Sequence, residues 1–117
     1  MRSAITVGVV GACGTGKSEL VTRLRERGYN VRHIAQEHSY APRMWRQITN
    51  PDILVYLDVS YPLTLERKRF KWTEKEFMEQ IHRLRDAREK ADIRINTDDL
   101  TPDEIYEMIV ENIEGKT

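Results

Sequence analysis

One cysteine, Cys13, stands among 117 residues, so no internal disulfide can form and packing must hold the fold together. Surplus charge is also lacking. Lys and Arg number 19 and so do Asp and Glu, which removes a general electrostatic case for nucleic acid or an anionic membrane as the main partner. No apolar run is long enough to span a bilayer, and the apolar stretch near the N-terminus is short and broken by glycine, so neither a membrane span nor a signal peptide is expected. Zinc-ligand spacing is absent, and so are internal repeats and low-complexity linkers. These absences leave a single domain over residues 1–117, with a cytoplasmic location as the expectation.

What the sequence does have is Gly11-Ala12-Cys13-Gly14-Thr15-Gly16-Lys17-Ser18, which fits the pattern G-x-x-x-x-G-K-[ST] at each fixed position. Residues 5–10 form a β-branched run that reads as a buried strand, and residues 18–24 read as a helix. In this strand–loop–helix context, glycines let the backbone curl around an anion. Successive N–H groups and the helix N-terminus then offer partial positive charge to phosphate oxygens. In such a loop Lys17 reaches the β- and γ-phosphates of a nucleoside triphosphate and Ser18 ligates Mg²⁺. The expected nucleotide-binding set is Gly11, Ala12, Cys13, Gly14, Thr15, Gly16, Lys17, Ser18 and Glu19. The pattern speaks for binding and not for catalysis, and a glycine-rich turn ahead of a helix is the plainer alternative. Cys13 reads as a small loop residue, although an accessible thiol there would make nucleotide binding sensitive to oxidation.

Periodicity places the remaining elements. A first helix over 16–27 buries Leu20, Val21 and Leu24 and stops at Gly28. A second strand over 29–35 follows so closely that the two strands and the helix form a βαβ unit with parallel strands. Residues 36–52 read as loop plus a short helix. The unbroken apolar run 53–58, ending in Asp58, belongs at the sheet centre. A basic helix over 63–71 is followed by a capping box, Thr73 with Glu76, opening a helix that buries Phe77, Ile81 and Leu84 and runs to 88 or 90. A last strand over 92–96 lies nearer an edge. A second capping box, Thr101 with Glu104, opens a helix that buries Ile105, Met108, Ile109 and Ile113 and stops at Gly115. The fold class is α/β, a three-layer α/β/α P-loop fold with a small parallel sheet of about four strands flanked by helices.

Three segments resemble the P-loop kinases of small molecules, especially the nucleoside and nucleoside-monophosphate kinase branch. They are the loop 11–18, residues 51–60 with Leu65, Glu66 and Arg67, and residues 91–98 leading into 100–104. The chain departs from that family in having four strands rather than about five and only residues 36–52 for an acceptor site. The resemblance implies a strand at 31–35 beside the first strand, with Glu37 at the carboxyl end of the sheet, where ligands of open α/β folds bind. It also implies a lid over the basic run of Arg67, Lys68, Arg69 and Lys71, extended by Arg83, Arg85 and Arg88, and makes Thr97, Asp98 and Asp99 the border of the adenine.

Glu37 is the first candidate for a catalytic carboxylate, because phosphoryl transfer needs a group to orient or deprotonate the acceptor hydroxyl or to hold Mg²⁺ through water. A solvated loop glutamate is the plainer reading. Asp58, a carboxylate ending an apolar strand, competes for the Mg²⁺ role beside Ser18, although the resembling kinases often use this position structurally. Arg67 matches the family's L-x-x-R position and would stabilise transferring charge. Helical spacing would put Lys71 on the same face. Tyr40, Arg43 and Trp45 could line a pocket for a ring-bearing acceptor, or simply pack their segment onto the domain. His33 reads as structural, and His38 lies nearer the site. With no Asn-Lys-x-Asp motif, ATP is favoured over GTP.

The leading expectation is an ATP- and Mg²⁺-dependent phosphotransferase using Lys17, Glu37 and Arg67, with an unidentified small-molecule acceptor. A nucleotide-binding module without turnover, or a slow nucleotide hydrolase, stands as the alternative. The reduced size also raises a homodimer.

Overall fold

The computed structural model describes residues 5–68 and 71–116. Among them, burial sorts four strands into two inner and two outer members: β1 (Thr6–Gly11), β2 (Asn30–His33), β3 (Ile53–Asp58) and β4 (Ile93–Asn96). In β1 and β3 nearly every residue is buried, as a strand covered on both faces requires. In β2 only Val31 is buried, and in β4 buried Ile93 and Ile95 alternate with exposed Arg94 and Asn96. The sheet is wholly parallel in the order β2-β1-β3-β4, so these two more polar strands form its edges. Val9 pairs with both His33 and Val55, which brings the carboxyl ends of three strands to one level.

Helices cover both faces. On one, α1 (Lys17–Glu26) and α6 (Pro102–Lys116) pack Leu20, Val21, Leu24, Ile105, Ile109 and Ile113 against Val7, Val9, Val55 and Leu57. Ion pairs Arg23–Asp103 and Arg27–Glu114 join the two helices at the rim. α1 ends as expected: Gly28 takes φ 105°, its N–H donates to the Arg25 carbonyl, and the Tyr29 N–H donates back to Leu24. The opposite face receives α2 (Met44–Ile48), α4 (Glu74–Arg83) and α5 (Arg85–Lys90), which bury Trp45, Phe77, Leu84 and Ala87 against Val10, Leu54 and Tyr56. α3 (Tyr61–Lys68) crosses near the carboxyl ends of the strands. No helix among the described residues is long and apolar enough to cross a membrane.

Both capping boxes form, with reciprocal bonds between Thr73 and Glu76 and between Thr101 and Glu104. Other boundaries differ from the sequence reading for identifiable reasons. The basic helix begins earlier, at Tyr61, and is described to Lys68; Lys71 is not helical and does not share a helical face with Arg67. Trp72 folds back instead: Tyr61 Oη donates to its carbonyl at 2.6 Å, and its indole N–H donates to Thr64 Oγ1 at 2.8 Å. Arg69 lies outside the described residues. The helix expected from Thr73 to the region of Lys90 is stepped at Leu84, where the Gln36 side-chain amide donates to the Arg83 carbonyl and the Arg85 guanidinium donates to the His82 carbonyl. α6 runs past Gly115 to Lys116, and Met108 is 38% exposed while Val110 takes the buried place.

Leu84 is wholly buried at the step between α4 and α5. Truncating it to alanine should lower unfolding free energy by about 2–5 kcal/mol, read from the urea midpoint at unchanged slope.

Candidate functional site

The loop between β1 and α1 carries two glycines in the left-handed region, Gly14 at φ 94° and Gly16 at φ 85°. Gly16 precedes the first turn of α1. A side chain at either position would strain the backbone, so the curl depends on their lacking one. Thr15 Oγ1 closes the curl from within by donating to the Ala12 carbonyl at 2.9 Å.

Beneath this loop the Lys17 ammonium is only 7% exposed. It donates to the Gly11 carbonyl at 2.7 Å and the Ala12 carbonyl at 3.1 Å, and pairs with Glu37 Oε2 at 3.1 Å. Glu37 is 4% exposed and reaches the loop from a 3₁₀ turn, Gln36–His38, that follows β2. It is therefore not a solvated loop residue. Its second oxygen, Oε1, is buried and finds no hydrogen-bond partner among the described residues.

Two helices grip the loop, and the turn after β4 anchors one of them. From α4, Gln80 accepts from the Cys13 backbone N–H at 3.0 Å and donates to Cys13 Sγ at 3.3 Å. From α3, the Arg67 guanidinium donates to the Gly14 carbonyl at 3.2 Å and to Thr97 Oγ1 and the Thr97 carbonyl at 2.9 and 2.7 Å. Thr97, after β4, is wholly buried and donates in turn to the Asp58 carbonyl.

A cavity of about 570 Å³ opens over this arrangement. Its walls include Cys13, Gly14, Thr15, Gly16, Lys17, Ser18, Glu19, Glu37 and Arg67, so it brings together most of the residues singled out from the sequence. Gly11 and Ala12 lie under the loop and serve it through the carbonyls that hold Lys17. Leu100, Pro102 and Ile105 form an apolar wall opposite. The structure does not bring Asp58 to Ser18. The Asp58 carboxylate accepts from the Val59 N–H, lies 3.6 Å from the Arg88 guanidinium and lines a separate cleft with Phe77 and Ile81.

Trp45 is buried, and its indole N–H donates to Asp86, so it packs its segment rather than lining a pocket. Tyr40 is 84% exposed beneath the Arg83 guanidinium, and Arg43 pairs with Asp86. His33, read as a structural strand residue, ends β2 and also lines the cavity. Partial burial, reinforced by the nearby Lys17 charge, holds its imidazole below the ordinary histidine range. Gln80 was not singled out from the sequence, and Thr97, which the resemblance made part of the adenine border, is wholly buried and anchors Arg67. Gln80 carried a signal, since it is a polar residue on the apolar stripe running from Phe77 to Leu84.

Lys17→Met would leave the Glu37 carboxylate buried without its partner and should cost about 3–5 kcal/mol of stability, whereas the double variant with Glu37→Gln should recover most of the loss in urea unfolding. The depressed His33 pKa means that the unfolded chain takes up a proton first as pH falls. Stability should therefore drop below about pH 6.5 and level off once the folded form also titrates. His33→Gln should flatten that part of the stability profile in thermal melts at stepped pH.

No model of a known protein family matches the chain, and no curated protein matches it either.

Proposed function

We propose that the chain is a P-loop phosphotransferase that moves a phosphoryl group from ATP to a small-molecule acceptor. The observation that carries this reading is the buried Lys17 ammonium beneath a glycine loop, at the base of a cavity that Arg67 also lines. A triphosphate would meet the loop amides, the N-terminus of α1 and two cations. Leu100, Pro102 and Ile105 offer an apolar surface for a base. The donor set also fits Mg²⁺ carried on the nucleotide: Ser18 is exposed at the start of α1, and buried Glu37 has an unpartnered oxygen. Bound there, the ion would neutralise phosphate charge.

In this reading Arg67 holds the loop and Thr97 together while presenting positive charge to the transferring group. Glu37 orients or deprotonates the acceptor hydroxyl, which enters from residues 36–52. For Glu37 to act so, an incoming phosphate must draw Lys17 from the carboxylate.

The same ion pair favours a second reading, nucleotide binding without turnover. A carboxylate committed to Lys17 at 3.1 Å is not free to take a proton.

ADP formation from ATP and Mg²⁺, with and without a pooled panel of nucleosides, nucleotides and small hydroxy acids, tests the proposal. Acceptor-dependent ADP is expected, absent in Lys17→Ala. Glu37→Gln should lower transfer by about 10²–10⁴-fold while ATP still binds by calorimetry. Equal transfer by wild type and Glu37→Gln would remove Glu37 from the chemistry, and ADP formation without any acceptor would indicate hydrolysis.

A further inference from the structure

Cys13 and His38 are 25 positions apart, and no sequence spacing pairs them, yet the fold brings both to Glu37. Cys13 Sγ lies 4.0 Å from His38 Nε2, and His38 Nε2 lies 3.6 Å from Glu37 Oε2. One ligand atom from each of the three side chains falls within 4.8 Å of the other two. Around a tetrahedral zinc ion, with bonds of about 2.0–2.3 Å, donor atoms stand roughly 3.3–3.6 Å apart. Side-chain adjustments of about an ångström would close the set.

A second observation points to a ligand at the same place. Glu37 Oε1 is buried and unpartnered, although leaving a carboxylate oxygen dry and unbonded is costly. The neighbouring charges can be weighed directly. Lys17 is bound to Oε2, the same oxygen that lies 3.6 Å from His38, and Arg83 donates to the Glu37 backbone carbonyl, so Oε1 is the carboxylate oxygen left for an ion, with the ammonium on its neighbour. Gln80 donates to Cys13 Sγ, the kind of outer contact that orients a thiolate ligand. His38 is largely exposed, giving the ion a route from solvent.

We infer that Cys13, Glu37 and His38 form a three-ligand site for a zinc-class divalent cation, with a fourth position open to water or an anion. Binding deprotonates the Cys13 thiol and releases that proton to solvent. The ion's two positive charges and the Lys17 ammonium then meet one thiolate, one carboxylate and a neutral imidazole, which leaves net positive charge for an anion at the fourth position. Thiolate and imidazole select this class over Mg²⁺, which prefers oxygen. The binding stands independently of the phosphotransferase reading. Its consequence, that an occupied site withholds Glu37 from an acceptor, rests on that reading.

Cobalt(II) titrated into the full chain, without nucleotide and under a non-thiol reductant, should bind one to one with a thiolate-to-metal charge-transfer band that zinc abolishes by displacement. His38→Gln, at an exposed position that leaves the core intact, should weaken binding by more than about tenfold, and Glu37→Gln likewise in samples whose circular dichroism matches wild type. Cys13→Ser should remove the band. Absence of the band in the wild type, or affinity unchanged in His38→Gln, would overturn the site.

Discussion

An ammonium group taken out of water must find nearly all its partners inside the protein, because an unpaired buried charge costs several kcal/mol. Lys17 meets this demand with two carbonyls from its own loop and one carboxylate from the segment after β2. That last contact makes the site a property of the whole sheet rather than of one loop. Glu37 can reach Lys17 because β2 lies parallel to β1, with Val9 opposite His33, and the chain turns at once into a 3₁₀ helix. An anion entering the cavity would find the ammonium already neutralised and would have to displace the carboxylate. The pair thus sets a threshold that a ligand's own charge must exceed.

The loop itself is held from outside its sequence neighbourhood. Gln80 binds both the amide and the sulfur of Cys13, and Arg67 binds the Gly14 carbonyl while anchored on Thr97. These contacts come from α4, α3 and the turn after β4, so three parts of the chain far apart in sequence converge on one curl of backbone. Pre-positioning of this kind means that less conformational freedom is lost when a ligand binds. It also accounts for the folding back of Trp72 onto α3. By bonding Thr64 and packing edge-on against Phe77, Trp72 fixes α3 relative to α4, and so fixes Arg67 relative to Gln80.

Much of the fold was legible because its signals are local. The buried runs of β1 and β3, the Gly28 stop and the two capping boxes each depend on a few adjacent residues and formed where the sequence placed them. Errors arose where a distant side chain decided the outcome. The step at Leu84 follows from Gln36 reaching across to the Arg83 carbonyl, and Lys71 stands outside a helix beside Trp72, which turns back on Tyr61. In the site, the glycine loop and Lys17 were readable from the motif alone. The burial of Glu37 and the withdrawal of Asp58 toward Arg88 were not, because both depend on which cation each carboxylate meets across the fold.

That division of carboxylates qualifies what a balanced composition implies. With equal numbers of acidic and basic residues the chain has no net field to draw an anion from afar. Locally the balance is uneven. Glu37 is committed to Lys17 and Asp103 draws Arg23 to the rim, while Arg67 is held by the neutral carbonyl and hydroxyl oxygens of Gly14 and Thr97. The guanidinium stands at the cavity wall together with the loop and the start of α1. On the proposed reading, an anion inside would be met by contacts within a few ångströms, each worth more in a cleft than the same charge on an open surface. The proposed affinity for a polyanion would then rest on geometry, without any excess of basic residues in the sequence.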